Sequence, residues 1–546
     1  MRTETPPTPT PYRSSLPPGR DGFLQLLRAE LTKFRSVRRW LIGLAAAALV
    51  SVTLTMLASN SGPGNNQAPD ALAGPGGGAV QDRFRFVHQP LTGDGEIVAR
   101  VVSMADGSGG SGERESTVPG DEDHGIVAWA KAGVLIKDGT KQGSRYAALM
   151  VTPGHGVRLQ HNYTEDLAGS DAAPKNRWLK LVRKGTGFTG YESADGSDWT
   201  KVGTVTVAGL PRTAEVGLFV ASSDRYTVER SFGTLSEGVG PSKATGVFDH
   251  VTLNGAASDA WTGEPIGELS LPKVPDRPDD RPLDEQENRE ELPPRQEIED
   301  LKGSDRESGG VFTVTGSGDI APDAFVGGDN LTQGLAGSWV ALMVFAALGT
   351  LFITSEYRRG MIRTTLTATP RRGRVLVAKA LVIGAVSFAV ALPATALGFA
   401  WAQQRMQDHG YVPPVYLEYS LAHGTGLRAV IGTSAMLALV AVLALAAGAV
   451  LRHSAGAITG VILLMLAPLI LGGALPLGAT QWLFRLTPVA AFSVQRSGMY
   501  YPQMERPCMP ENACYPLAPA GGLGVLLLWA AALLALAVWR LRKSDV

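Results

Sequence analysis

Six apolar runs decide what this chain can fold into. A helix needs about 20 apolar residues to cross the hydrocarbon core of a bilayer. Six stretches come close to that length: 40–57, 335–354, 376–400, 428–451, 455–477 and 521–539. The first reads WLIGLAAAALVSVTLTML and the last GGLGVLLLWAAALLALAVW. Pro393 and Pro468 fall inside the third and fifth, which membrane helices tolerate when neighbours satisfy the freed carbonyls. The first run begins late and is too long for a cleaved signal peptide, so it reads as an anchor. The 50 basic and 50 acidic residues cancel, and mean hydropathy lies near zero only because a polar middle is averaged with apolar flanks.

Lys and Arg next to the spans set orientation. Residues 1–39 carry eight, and SEYRRGMIRTTLTATPRRGR (355–374) carries six. Arg452 follows the fourth span, and the tail RLRKSDV holds three more. The alternate loops, 402–427 and 478–520, are poor in them. The chain is therefore expected to keep both termini and residues 355–374 in the cytoplasm, and to expose 58–334 and 478–520 outside. Cys508 and Cys514 lie in that last outer loop, where a small local disulfide is permitted; two free thiols are the other reading.

The insert between the first two spans has several parts. Residues 58–81 are Gly- and Pro-rich and read as a flexible tether. Residues 82–255 carry short strands with turns such as Asp195-Gly196 between them, the pattern of an antiparallel β-sandwich. In RWLKLVRK, Trp178 and Val182 share one face and Leu179, Leu181 and Arg183 the other. Residues 256–334 read as an acidic, Pro-rich stalk: 271–308 alone hold 13 acids, seven bases and six prolines, too little apolar content for a core. GVFTVTGSGDIAP (310–322) is a candidate further strand that pairs back onto the sandwich.

Catalytic chemistry is missing. No G-x-x-x-x-G-K-[ST] loop, G-x-S-x-G elbow, H-E-x-x-H helix or C-x-x-C pair occurs, so neither ATP hydrolysis nor another enzymatic activity is expected in this chain. No metal is expected either. Lys379 sits near the cytoplasmic end of the third span and is expected to snorkel. No acidic pair marks a proton relay, and the arginine cluster reads as topology and anionic lipid contact rather than nucleic-acid binding.

Two cytoplasmic segments stand out. Residues 21–38 place Phe23, Leu27, Leu31 and Phe34 along one stripe with basic residues largely elsewhere, a helix suited to the membrane interface or to packing on protein. In 355–374, Ile362 and Leu366 are spaced i, i+4 beside Arg363 and threonines, and Pro370 ends any helix.

Two resemblances follow. AKAGVLIKDG, YESADGSDWTKVGTVTV with VGLFVAS, and FDHVTLNG resemble the concanavalin-like (LamG-like) jelly-roll domains of bacterial surface proteins. That family often binds carbohydrate, which makes Trp129, Trp178, Tyr191 and Trp199 candidates for stacking on a glycan; filling the core is the usual role of such rings. RAELTKFRSVR, ITSEYRRGMIRTTLTATPRRGRVLVAKAL, LRHSAGAITGVILLMLAPLIL and WLFRLTPVAAF are similar to the permease subunit of type 2 ABC exporters. This resemblance implies a bacterial plasma-membrane protein with ATP and Mg bound by a separate ATP-binding subunit and no cofactor on this chain. It also implies a homodimer or a paired permease. Glu356, Tyr357, Arg358, Arg359, Gly360, Ile362, Arg363, Thr365 and Leu366 would form the coupling helix that the ATPase touches. The departure is the insert of 277 residues, 58–334. The expected fold is thus an α-helical polytopic membrane protein of six spans with an extracytoplasmic all-β jelly roll between spans one and two. The alternative function is a membrane-anchored glycan-binding or sensing protein.

Overall fold

The computed structural model describes residues 22–60, 71–107, 125–171, 173–231, 234–257, 260–267, 301–323, 330–358, 360–361, 372–409, 412–414, 417–496, 501, 503 and 515–543. Cys508, Cys514, Arg359, Ile362, Arg363, Thr365 and Leu366 lie outside them.

The helical part comprises α1 (Phe23–Ser36), α2 (Arg38–Asn60), α3 (Ser338–Arg358), α4 (Arg372–Asp408), α5 (Gly424–Leu451), α6 (Ser454–Gly472), α7 (Leu477–Leu486) and α8 (Pro519–Lys543). Six of these, α2 to α6 and α8, are long and apolar enough to cross a membrane. Pro393 and Pro468 lie inside α4 and α6. The start of α2, the end of α3, the start of α4, the α5–α6 turn and the end of α8 carry Arg38, Arg39, Arg358, Arg372, Arg374, Arg452, Arg540, Arg542 and Lys543. These positions fall at alternating helix termini, so they define one arginine-rich end. The large insert leaves from the opposite end.

At the centre is α5, apolar on all sides and therefore enclosed. It meets α3 at very short range, because small residues let the backbones approach. A Cβ on Gly349 would stand 2.1 Å from the Ala441 carbonyl oxygen, and one on Gly448 2.9 Å from Ile353. Between them Thr350 donates to the Ala444 carbonyl at 3.2 Å.

The insert is an antiparallel sheet folded over on itself. Its strands are β1 (Val80–Asp82), β2 (Phe84–Asp106), β3 (Lys131–Lys137), β4 (Tyr146–Thr152), β5 (Gly156–His161), β6 (Glu165–Ala168), β7 (Arg177–Lys184), β8 (Gly187–Ser193), β9 (Thr200–Thr206), β10 (Thr213–Ala221), β11 (Arg225–Ser231), β12 (Thr234–Gly240), β13 (Lys243–Ala257), β14 (Thr262–Ile266), β15 (Ser304–Ser308), β16 (Val311–Ser317) and β17 (Ile320–Pro322). The long β2 turns at Gly93, whose φ of +82° favours glycine. Before the turn β2 pairs with β10 and β14; after it, with β7 and β13. One leaf continues β10-β3-β4-β5-β6 and the other β7-β8-β9, and β3 and β4 also pack against β7. The space between holds Val87, Ile97, Val134, Leu149, Leu159, Leu181, Phe188 and Leu218, giving a nearly barrel-like double layer.

A second apolar layer covers the back of β3, β4 and β10, built from Phe84, Phe86, Leu135, Met150, Tyr146, Tyr163 and Phe219 under the β1–β17 ribbon. Every residue of β3 and β4 is therefore buried, so KAGVLIK and YAALMVT do not alternate. Lys131 and Lys137, at the two ends of β3, are wholly buried and pair with Asp319 at 2.5 Å and Asp82 at 2.7 Å. Tyr163 also donates to Asp82 at 2.7 Å. These bonds tie the incoming and outgoing strands of the insert to its core.

Two expected boundaries are corrected by these pairings. Residues expected as tether include β1, and the expected stalk 256–334 contributes β14, β15, β16 and β17. Arg85 pairs with Asp305, so an acid read as stalk solvation serves as an ion-pair partner for β2. The strand expected in 310–322 is present as β16, paired with β13.

Replacing Gly349 by leucine forces α3 from α5 and should cost about 1–3 kcal/mol of overpacking. Gly460→Ala, with nothing within 4 Å, should be neutral. Thermal unfolding of the detergent-solubilised protein measures the contrast; equal melting of the two variants would contradict the close packing.

Candidate functional site

The arginine-rich end contains a buried ion cluster. Lys379 on α4 is wholly buried. Its Nζ reaches Glu30 Oε2 of α1 at 2.6 Å and Glu356 Oε1 of α3 at 2.7 Å. Both carboxylates are buried too. Lys33, half exposed, stands 3.1 Å from Glu30 and 3.8 Å from Glu356. Two ammonium groups thus balance two carboxylates. Phe352 lies 5.0 Å from the Lys379 nitrogen and packs on Phe34 and Trp40 at 5.5 and 5.7 Å, which keeps water out of the cluster. Glu356 Oε2 is buried without a hydrogen bond among the described residues.

Sequence reasoning missed this cluster. Lys379 does not snorkel; it is held by two acids from elements distant in the chain. The available signal was Leu27–Glu30–Phe34, spaced i, i+3, i+7, which places Glu30 on the buried face of α1. The expected stripe divides accordingly. Phe34 is buried and Leu27 packs against the helical core, whereas Leu31 faces outward at 37% exposure, as does Leu24. Phe23 is half-buried at the start of the helix.

The expected coupling residues fall in different places. Glu356, Tyr357 and Arg358 are the last residues of α3, not part of a separate helix. Glu356 is not available to a docking partner, because its carboxylate serves Lys379. Tyr357 is half-buried, with the Arg452 guanidinium 5.6 Å from its ring centroid. Arg452 itself caps α5 in a left-handed conformation, its N–H donating to the Gly448 carbonyl. Gly360, at φ +67°, turns the chain away from α3. The α5–α6 turn and the end of α3 therefore meet where residues 359–371 begin.

At the opposite end Gln503, from the segment between α7 and α8, touches the insert. Gln503 is buried, and its Nε2 donates to the carbonyls of Tyr163 and Thr164 at 3.0 and 3.1 Å. Asn162 and Tyr163 both have positive φ, so a strained turn presents these carbonyls.

The four aromatic candidates separate. Trp129 is core, 2% exposed and stacked on His155 at 4.0 Å. Trp178, Tyr191 and Trp199 are only half-buried, on the outward face of the β7–β8–β9 leaf. Lys180 sits between two of them, 4.9 Å from Tyr191 and 4.2 Å from Trp199. Arg100 stands 5.7 Å from Trp178. It also hydrogen-bonds Asp249, which holds that carboxyl down at about 2. Among the described residues no group of three or more His, Cys, Asp or Glu side chains is placed to hold a metal.

Six candidate spans and a large antiparallel insert define a multi-pass membrane protein. The chain belongs to the ABC-2 family of transporter proteins, whose pattern residues 203–546 match. That match takes in the last part of the insert and every span but the first. No curated protein matches the chain. Among solved structures, the crystal structure of a functionally unknown protein from Saccharomyces cerevisiae is similar over 34% of this chain and 83% of its own length. Its identity is 12% and its TM-score 0.19, too low to carry an argument.

Lys379→Met leaves Glu30 and Glu356 buried with only Lys33 for a partner and should cost about 3–5 kcal/mol. Adding Glu30→Gln and Glu356→Gln should recover much of the loss. Melting of the three proteins in detergent measures this; an unchanged melting point for Lys379→Met would show that the cluster is hydrated.

Proposed function

We propose that this chain is the membrane-spanning permease subunit of an ATP-driven exporter. ATP and Mg are bound by a separate ATP-binding subunit that presses on residues 359–371, and two permease copies assemble into one transporter. The arginine-rich end faces the cytoplasm, as the Lys and Arg bias favours, and the insert lies outside. The observation that carries the reading, beside the family, is the ion cluster. It joins α1, α3 and α4 rigidly at the end of α3, from which residues 359–371 continue, as a force-receiving joint requires. Arg359, Ile362, Arg363, Thr365 and Leu366 are the proposed contacts, with Arg358 and Gly360 at their root.

The test is co-purification with a candidate phosphate-loop ATPase, sought first among the products of neighbouring genes. Arg359→Glu or Leu366→Asp should weaken that complex roughly 30-fold, the loss of one contact worth about 2 kcal/mol, while membrane insertion stays normal. Undiminished capture and ATPase stimulation with both variants would overturn the docking role.

A second reading concerns the insert, proposed as a concanavalin-like domain. The outward aromatic face of Trp178, Tyr191 and Trp199, laced with Lys180, favours a saccharide ligand over a purely structural cap. Residues 71–323 close on themselves through β1 and β17, so they can be tested alone on a glycan array. Trp199→Ala should abolish binding without unfolding the domain; no bound glycan for the parent domain leaves the insert as a cap.

A further inference from the structure

Where α1, α4 and α8 converge at the arginine-rich end, an open groove of about 930 Å³ runs between them. Phe23 walls it from α1; Arg372, Gly373, Arg374 and Val377 from α4; Val538 and Arg542 from α8. Among the described residues no carboxylate lines it. Arg372 donates to the Leu541 carbonyl at 3.0 Å, which pins the first turn of α4 to the last turn of α8. Arg374 and Arg542 enter no ion pair with the described residues. Elsewhere the buried cations Lys131, Lys137 and Lys379 each have a carboxylate at 2.5–2.7 Å.

Shape adds to charge. A Cβ on Gly373 would meet Val538 at 3.1 Å and the Arg542 guanidinium at 3.6 Å, so glycine lets α8 come close to α4 and sets the narrow end of the groove. Towards the bilayer centre α4 continues with Val377 and Leu381, one turn apart and 36% and 51% exposed. Guanidinium groups above an exposed apolar strip match an amphiphile with an anionic head. Arginine forks fit phosphate oxygens in pairs, and basic pockets at the membrane face bind anionic head groups. Topology alone needs arginines near this face; it does not need them to wall a groove that, among the described residues, holds no acid.

We infer that this groove binds the phosphate of an anionic phospholipid from the adjacent leaflet, with an acyl chain laid along Val377 and Leu381. The site rests on the chain crossing a membrane and is independent of whether residues 359–371 receive an ATPase.

Native mass spectrometry of the full-length protein in neutral detergent tests it. The probes are phosphatidylglycerol, phosphatidylcholine and inorganic phosphate. One phosphatidylglycerol per chain should bind well ahead of phosphatidylcholine. Arg374→Gln and Arg542→Gln should each weaken it about fivefold, the share of one basic residue at a membrane surface, and the double variant roughly 25-fold. Arg374→Lys with Arg542→Lys should bind more tightly than the Gln pair but more weakly than the parent, because lysine keeps the charge and loses the fork. Equal binding of the two lipids, undiminished binding by the Gln variants, or inorganic phosphate holding as tightly as the lipid would each overturn the assignment.

Discussion

A lysine ammonium shut away from water is the constraint on which the helical part turns. Lys379 has no exposed surface, and an uncompensated charge there would cost several kcal/mol. Its two carboxylates come from α1 and α3, some 350 and 23 residues away in the chain. Both must arrive together with Lys33, or the charges do not cancel. A buried cluster of this kind adds little net stability over apolar packing; what it adds is register. Helices that share only Ala, Leu and Val can slide by a turn at small cost, and an ion cluster fed from three elements cannot. The end of α3, from which residues 359–371 continue, is therefore held in one position relative to α1 and α4.

The insert solves a different problem. A long excursion between two spans must return to the membrane close to where it left. The β1–β17 ribbon does this by antiparallel pairing of Val80 with Pro322 and Asp82 with Ile320. Lys131 and Lys137 then fix both strands to β3. Once the ends are clamped, the length of what lies between matters little, because the entropy of closing a loop grows only with the logarithm of its size. A six-span membrane part can carry such a domain without distortion of α2 or α3. Gln503 gives the domain a second foothold on the helical part.

Much of this was legible in the sequence, and the failures share a cause. Six spans, an antiparallel insert and the returning strand at 311–317 follow from local pattern, since period and turn chemistry are local properties. The ion cluster was only half legible: the Leu27–Glu30–Phe34 spacing puts Glu30 on an apolar face, but nothing local says that Lys379, some 350 residues away, is the partner it meets there. Lys379 looked like a snorkelling residue for the same reason. Residues 304–308 carry three charges in five positions, which reads as stalk; they form an edge strand because Arg85 waits for Asp305. Of the four aromatic candidates, only Trp129 proved to be core. Face assignment failed for the others because β7 to β9 expose one side, and a sequence alternation does not say which side is inward.

The placement of α1 connects features that otherwise look separate. Its buried face, Leu27, Glu30 and Phe34, belongs to the ion cluster. Its first residue, Phe23, walls the basic groove, and Leu24 and Leu31 look outward. A rigid helix of 14 residues cannot shift at one of these contacts without shifting at the others. Any ligand acts on a conformational equilibrium only through its different affinity for the two states. An amphiphile in the groove that prefers one position of α1 must therefore also bias Glu30 against Lys379, and through Glu356 the end of α3. The coupling needs no long pathway, because one short helix carries the groove wall at its first turn and the buried acid two turns later.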